Sequence, residues 1–460
     1  MSGFMIAAPQ SGSGKTTVTL GLLRALKRRG VPLAPGKAGP DYIDPAFHAA
    51  ASGETCLNYD PWAMREDLLL ANASLQSQGG RMLVIEAMMG LFDGAADGSG
   101  SAGDLAGLLG LPVVLVIDCA SMSQSVAALA QGFSNFHPDV LVAGVILNRV
   151  ASARHEGMLR QALEKARIDI VGVIPRDARL ELPHRHLGLV QAGEHPELAR
   201  VIDDAADMME ARIDFAKLER LAKRTSGKVP PGNISRLPPP AQNIAVAQDE
   251  AFAFMYEHML LGWRRRGAEI SFFSPLADEG PADDCAAIVL PGGYPELHAG
   301  RIAAAGRFRA GMAAAFERGA LVYGECGGFM VLGDGLIDAD GVRHEMLGAL
   351  PLVTSFAERK RHLGYRRVTP KPGFFWDMEL SAHEFHYASI VSEGDADRVF
   401  EARDALGSTL QPAGLQRGRV AGLFGLASTT IGARFAAAAS SVATCSILMP
   451  ARRKDCSYSP

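Results

Sequence analysis

The sequence has little cysteine and no cysteine pairs: Cys56, Cys119, Cys285, Cys326, Cys445 and Cys456 are scattered, with no C-x-x-C spacing. That excludes a zinc ribbon, a dithiol redox site and a secreted disulfide scaffold, and it points to a reducing, cytoplasmic home. Charge of one sign is lacking too. Lys and Arg total 46 against 50 Asp and Glu, a formal net charge of −4, so no global positive field recruits nucleic acid or an anionic membrane. No apolar run reaches bilayer length, and the N-terminus has no basic segment leading into an apolar one, so neither membrane spanning nor export is expected. What is present is an ordinary globular composition, 48% hydrophobic and 21% charged over 460 residues, enough chain for two or three domains.

Short apolar runs alternate with helical patterns from the first residues: Phe4–Ala8, a helix over Lys15–Arg29, then Met82–Glu86, Val113–Asp118, Leu141–Leu147 and Ile168–Ile174. This α/β rhythm predicts a doubly wound parallel sheet with helices on both faces. Residues 223–242 (KRTSGKVPPGNISRLPPPAQ) gather proline, glycine, serine and basic residues with no face to bury, which marks a linker between units 1–222 and 243–424. After it the rhythm restarts: Ile244–Gln248, a helix through Arg266, Glu269–Phe273, Ala286–Leu290, one helix from about Pro295 to Gly319, and Leu321–Tyr323. From Gly425 the patterning is weak, and residues 425–460 are expected to form an atypical tail without regular elements.

Pro9-Gln10-Ser11-Gly12-Ser13-Gly14-Lys15-Thr16-Thr17 stands between a strand and a helix, the context of a phosphate-binding loop. Its glycines let backbone N–H groups turn toward phosphate oxygens, the helix N-terminus favours negative charge, Lys15 reaches the β and γ phosphates, and Thr16 can hold Mg²⁺. Pro9 departs from the pattern, which wants glycine there. Glu86 ends an apolar strand, where such folds place a Mg²⁺ carboxylate; alone it would equally well cap a strand. The run Lys37–Pro45 (KAGPDYIDP) joins a Gly-Pro turn to two acids three apart, poor material for strand or helix. Asp93 lies in the glycine-flanked Gly90–Gly94, at the carboxyl edge where doubly wound sheets bind ligands. Each acid alone is more often a turn former. Asp41, Glu86 and Asp93 together at that edge favour metal binding and control of phosphoryl transfer.

Gly324-Glu325-Cys326-Gly327-Gly328 follows a buried-strand pattern and precedes an apolar helix start. A G-x-[SC]-x-G turn of this kind presents a nucleophile on a strained elbow at a helix N-terminus, which is expected to expose the sulfur and lower the thiol pKa. The commoner fate of a cysteine is a small buried hydrophobe, and the flanking glycines argue against it. Upstream, Gly292 and Gly293 end another strand, and their N–H groups could form an oxyanion hole.

With these residues in view the chain resembles the corrin-ring a,c-diamide synthases, from Met1 to about Gly422. The motifs are APQSGSGKTT, KAGPDYIDPAFH, MGLFDG, RHLGLV, PGGYPELH, GECGGFM, HLGYR and HEFHY, in the family's order. The resemblance implies a dethiobiotin-synthetase-like P-loop domain joined to a class I glutamine amidotransferase domain with a flavodoxin-like fold. It implies that Asp41 and Glu86 with Thr16 serve Mg²⁺–ATP, that Tyr42 and Ile43 touch the corrin, that Asp93 assists at the activated carboxylate, and that Asn148 approaches the adenine. ATP would phosphorylate the c- and a-acetate carboxylates, ammonia would displace phosphate, and Cys326 would free that ammonia from glutamine through a γ-glutamyl thioester. The KAGPDYIDPAFH wording leans toward the cobalt-free corrin, and a homodimer is compatible with the chain.

Two departures stand out. Ala87 replaces a usual glycine, and the family's triad histidine, expected shortly after Gly422, is missing, since no histidine follows His386. The tail reads as a divergent or frame-shifted replacement for the family's last strand and helix, so free ammonium becomes the expected nitrogen source. The rival readings are a regulatory P-loop ATPase fused to a non-catalytic amidotransferase-like module, cobyric acid synthase and dethiobiotin synthetase. The PDYIDPAFH loop argues against the first. The others should respectively be longer before the second half and lack it.

Overall fold

The computed structural model of the protein describes residues 1–180, 184–185, 188–189, 191–194, 197–225, 234–358 and 360–430. In the first half, β1 (Ser2–Ala7), β2 (Leu33–Ala38), β3 (Leu57–Tyr59), β4 (Met82–Glu86), β5 (Val113–Asp118), β6 (Val142–Val150) and β7 (Ile170–Pro175) form one sheet. Its order is β3-β2-β4-β1-β5-β6-β7, and every pairing is parallel. The strands read as unbroken apolar runs because helices cover both faces. One of these, α1 (Lys15–Arg28), buries Val18, Leu20, Leu22, Leu23, Ala25 and Leu26. Gly21 on α1 lets the helix Leu198–Arg212 approach, since a Cβ there would stand 2.7 Å from Ala205 O.

Register, more than any single residue, places the chemistry. Ile6 and Lys37 each lie beside Glu86, and Asp118 lies beside Asn148, so the polar residues ending these strands share the carboxyl edge of the sheet. Within the RHLGLV motif, β8 (His184–Arg185) and β9 (Gly188–Leu189) pair antiparallel; the rest of it lies outside the described residues.

The second half has a ten-stranded mixed sheet. Its parallel part holds β10 (Asn243–Ala247), β11 (Glu269–Phe273), β12 (Ala287–Leu290) and β13 (Leu321–Glu325), in the order β11-β10-β12-β13. The chain then leaves to build a small sheet of β14 (Gly335–Ile337), β15 (Arg343–Glu345), β16 (Leu352–Ser355) and a later strand, β19 (Ser389–Glu393). It returns as β17 (His362–Pro370), β18 (Leu380–His386), β20 (Asp397–Asp404), β21 (Ala413–Arg417), β22 (Val420–Leu423) and β23 (Gly425–Thr430). β22 joins β13 in parallel, and the rest extend the sheet antiparallel, ending with β23 on β18.

Two sequence expectations are corrected. The single helix from Pro295 to Gly319 is a 3₁₀ turn (Pro295–Leu297) and two helices, Ala299–Ala304 and Gly306–Glu317. The second break has a visible cause: Asp278 Oδ1 accepts the N–H groups of Arg307 and Phe308 at 2.7 and 3.0 Å, capping a fresh helix start. The tail is regular at its beginning, because Gly425–Thr430 finds the free edge of β18. Residues 431–460, and 226–233 of the expected linker, lie outside the described residues. Among the described residues no helix is long and apolar enough to cross a membrane.

Candidate active site

Gly14 precedes α1 in the left-handed conformation, φ 88°, and a Cβ on it would stand 2.3 Å from Asn148 Nδ2, so only glycine fits. The loop is held from within the fold. Ser13 Oγ donates to Gln10 O at 2.9 Å, Asn148 Nδ2 to Ser13 O at 2.9 Å, and Arg149 Nη1 to Gly12 O at 3.0 Å. Thr17 Oγ1 donates to Leu180 O at 3.2 Å. Lys15 Nζ donates to Met89 O at 2.6 Å; burial, then the charge of Lys37, lower its pKa against the pull of Glu86. Over the loop opens a cleft of about 690 Å³, lined in part by Gly12, Lys15, Thr16, Asp41, Asp44 and Asn148. This is the shape and lining a nucleotide phosphate chain requires.

Behind Thr16 lies a buried charge cluster. Thr16 Oγ1 donates to Glu86 Oε1 at 2.9 Å and stands 3.5 Å from Asp44 Oδ2. Lys37 Nζ reaches Asp44 Oδ2 at 2.5 Å, Glu86 Oε1 at 2.8 Å and Asp41 Oδ2 at 3.7 Å. His48 Nε2 lies 2.7 Å from Glu86 Oε2. Burial works against the charge of Glu86, but Lys37 and His48 outweigh it and hold the carboxyl low. Burial likewise opposes the ammonium of Lys37, and Asp44, Glu86 and Asp41 outweigh it, raising that pKa. Asp44 is raised to about 6, by burial first and then by Asp41, with Lys37 opposing. Three carboxylates thus share one ammonium next to the Thr16 hydroxyl, a donor set that fits Mg²⁺.

The thiol site is built by the second sheet. Cys326 sits between β13 and the short helix Gly327–Val331 with φ 48° and ψ −105°, the strained elbow the glycine pattern implied. Its N–H donates to Leu423 O at 2.8 Å. The expected exposed, low-pKa thiol is overturned. Cys326 is 4% exposed, and its thiol is pushed up to about 12 by burial and then by Glu296, with the Gly327 N–H opposing and Glu325 and Glu384 adding. A helix of five residues carries too little dipole to outweigh burial and three nearby carboxylates. Gly293 borders the elbow, since a Cβ on Gly327 would lie 3.1 Å from its nitrogen, and a Cβ on Gly293 would meet Ala251 O at 2.0 Å. The Gly292 carbonyl is occupied, accepting from the Phe254 N–H at 2.9 Å.

The two sites are joined by the loop after β2. Tyr42 is buried, stacks on Phe254 at 4.0 Å, and points its hydroxyl at Phe385 O, 3.4 Å away. Tyr256 OH donates to Pro40 O at 2.9 Å, and Phe254 meets Tyr294 edge to face at 5.1 Å. Tyr42 and Ile43 line a cavity of about 360 Å³ with Gln191, Asp249 and Phe254.

Residues 4–190 match the family model described as a CobQ/CobB/MinD/ParA nucleotide binding domain, and residues 243–424 the one described as a CobB/CobQ-like glutamine amidotransferase domain. Over 424 residues, 92% of this chain and 98% of the relative, the sequence is 64% identical to a hydrogenobyrinate a,c-diamide synthase of a Sinorhizobium species. The chain belongs to the hydrogenobyrinate a,c-diamide synthase family. Members from Brucella anthropi and Rhizobium meliloti are 63% and 61% identical over 425 residues, each match covering 92% of this chain and 98% of the relative.

Against this family background, the acid set named from the sequence is partly redistributed. Asp41 Oδ1 accepts the N–H groups of Ile43 and Asp44 at 2.9 and 3.0 Å, so this carboxylate first shapes the loop. Asp93 is exposed and its Oδ2 accepts the Gly90 N–H at 2.8 Å. Glu86 is at the centre, with both oxygens engaged. Sequence reasoning missed Lys37, Asp44 and His48 as site residues. One signal was available: Asp44 and His48 are four apart on α2 (Asp44–Ser52), hence on one helix face. Asn148, which the resemblance places near the adenine, lines the cleft, and its Nδ2 holds the loop backbone at Ser13 O.

Lys37 is 3% exposed and compensates the carboxylates around it, so Lys37→Met is expected to destabilise the fold by about 3–5 kcal/mol, the usual penalty for orphaning a buried charge. Equilibrium denaturation checks it. An unchanged unfolding midpoint would show that water or protonation already neutralises the cluster.

Proposed function

We propose that this chain amidates the a- and c-acetate carboxylates of a corrin ring, using ATP to form acyl phosphates that ammonia then displaces. The observation that supports it most is the Gly39–Pro45 loop. One end contributes Asp44 to the charge cluster behind the phosphate loop, and Tyr42 in its middle packs on Phe254 beside the thiol half. A carboxylate bound along this loop would lie between a γ-phosphate held by Lys15 and the cavity under Tyr42 and Ile43. Lys15 and the loop N–H groups hold the phosphates, and the Gly12–Thr17 backbone orients them for in-line transfer. Thr16 with Asp44 and Glu86 would hold Mg²⁺, which neutralises phosphate charge when bound. The reading places the synthetase in residues 1–222 and the amidotransferase in 243–424, in the cytoplasm, with corrin, ATP and an ammonia source as its partners.

For the nitrogen source we infer free ammonium, with glutamine serving poorly. No histidine follows His386 in the sequence. Of the two near it, His383 is held down at about 4, by burial first and then by Arg366, and His386 has one ring nitrogen 3.1 Å from Ala388 O and the other 3.0 Å from Glu384 Oε1. His383 keeps an unpartnered Nδ1 but is left a weak base by its burial, and both ring nitrogens of His386 are engaged.

The test is corrin-dependent ADP release with ammonium present. If neither the cobalt-free nor the cobalt corrin stimulates it, the reading fails. In the same assay Asp44→Asn is expected to raise the Mg²⁺ concentration for half-maximal rate by roughly 10- to 100-fold, and Asp41→Asn by less, since Asp41 mainly shapes the loop. Superimposable Mg²⁺ titrations for both variants and the parent would return these acids to purely structural roles.

A further inference from the structure

The β17–β18 ladder carries a group of side chains that the proposed reaction does not use. His362 and His386 are direct cross-strand partners, and Glu384 is two residues before His386 on the same strand. Cross-strand partners and i, i+2 neighbours project from one face of a sheet, so all three side chains point the same way. Their ligand atoms lie within 4.8 Å of one another, the one such histidine, cysteine and carboxylate group of its kind among the described residues. Glu384 is flanked by glycine on both sides, opposite Gly364 on β17 and Gly425 on β23, and the Arg366 guanidinium occupies the space over Gly364.

The surrounding contacts orient these groups as outer contacts orient metal ligands. The His386 Nδ1 lies 3.1 Å from Ala388 O, which accepts only, so Nδ1 carries a proton and Nε2 faces Glu384 Oε1 at 3.0 Å. Between an imidazole nitrogen and a carboxylate oxygen a positive centre is required, either a proton or a metal ion. Arg366 grips the other oxygen, Nε donating to Glu384 Oε2 at 2.9 Å, and so leaves Oε1 free to turn toward the pair. His362 is the third donor. It faces His386 directly across the ladder, and among the described residues its ring nitrogens make no hydrogen bond that would turn them away from the pair. The two rings stack 4.7 Å apart and 11° from parallel, and His362, the more exposed, must turn about its Cβ–Cγ bond for both to meet one ion.

We propose that His362, Glu384 and His386 form a binding site for one divalent ion of the zinc class on the β17–β18 face. Two imidazoles and one carboxylate select a borderline ion over Mg²⁺, with water completing the coordination. The ion would sit between His386 Nε2 and Glu384 Oε1, now 3.0 Å apart.

The test is titration of the full-length protein with Zn²⁺, and with Co²⁺ as a visible reporter, in excess Mg²⁺ to saturate the oxygen cluster near Thr16. The parent and Cys326→Ser are both expected to bind one ion with the absorption of a nitrogen- and oxygen-ligated Co²⁺. The His362→Asn/His386→Gln variant is expected to lose affinity by on the order of 100-fold. A circular dichroism spectrum and metal-free melting temperature matching the parent establish that the variant is folded; if it is not, His362→Asn alone, at the more exposed ligand, carries the comparison. Equal affinity in parent and variant, loss of the ion in Cys326→Ser, or no binding by the parent overturns the proposal.

Discussion

With glutamine as sole nitrogen donor, the purified chain is expected to turn over on the order of 10⁶-fold more slowly than a synthase with an intact thiol–base pair, while saturating ammonium supports amidation. The base deprotonates the thiol and later protonates the leaving ammonia, and a short helix replaces only part of that work. Burial and the neighbouring carboxylates push the Cys326 thiol up to about 12, so it is protonated at pH 7. Iodoacetamide should therefore label it slowly below pH 9. Paired assays with each donor decide the matter. Glutamine rates comparable to ammonium rates, lost on Cys326→Ala, would mean that another base serves the thiol.

Lys15→Ala is expected to lower amidation by at least about 10³-fold with either donor, because a fixed charge aimed at developing phosphate charge is worth on the order of 10²–10³ or more in a closed site. Lys15 is 7% exposed, and its ammonium donates to Met89 O, so solvent has little access to replace it. Burial lowers its pKa, and a bound phosphate would favour the charged form. Ammonium-driven turnover close to that of the parent would show that the first half is not the synthetase.

Much of this was legible in the chain. Strands β4 and β5 have the bounds the apolar runs implied, Met82–Glu86 and Val113–Asp118, because fully buried parallel strands must be apolar throughout. The phosphate loop and the thiol elbow were legible for a related reason: each needs glycine at set positions, and that need leaves a local mark. The antiparallel half of the second sheet left a weaker one, since strands such as β17 are half-exposed and mix polar with apolar residues.

The sequence by itself determined the two α/β units, the loop at Gly12–Thr17, the glycine-flanked elbow at Cys326 and the lack of a histidine after His386, all of which are read directly from the residue order. Tertiary structure alone decided the state of those groups. Parallel register set Lys37 beside Glu86, and α2 then brought Asp44 and His48 onto the same carboxylate, joining residues up to 49 positions apart. The thiol pKa was decided the same way: an elbow motif specifies where a sulfur points, whereas burial and the carboxylates of Glu296, Glu325 and Glu384 decide whether it ionises. Charge interactions depend on distance and solvent access, and neither is a property of sequence spacing.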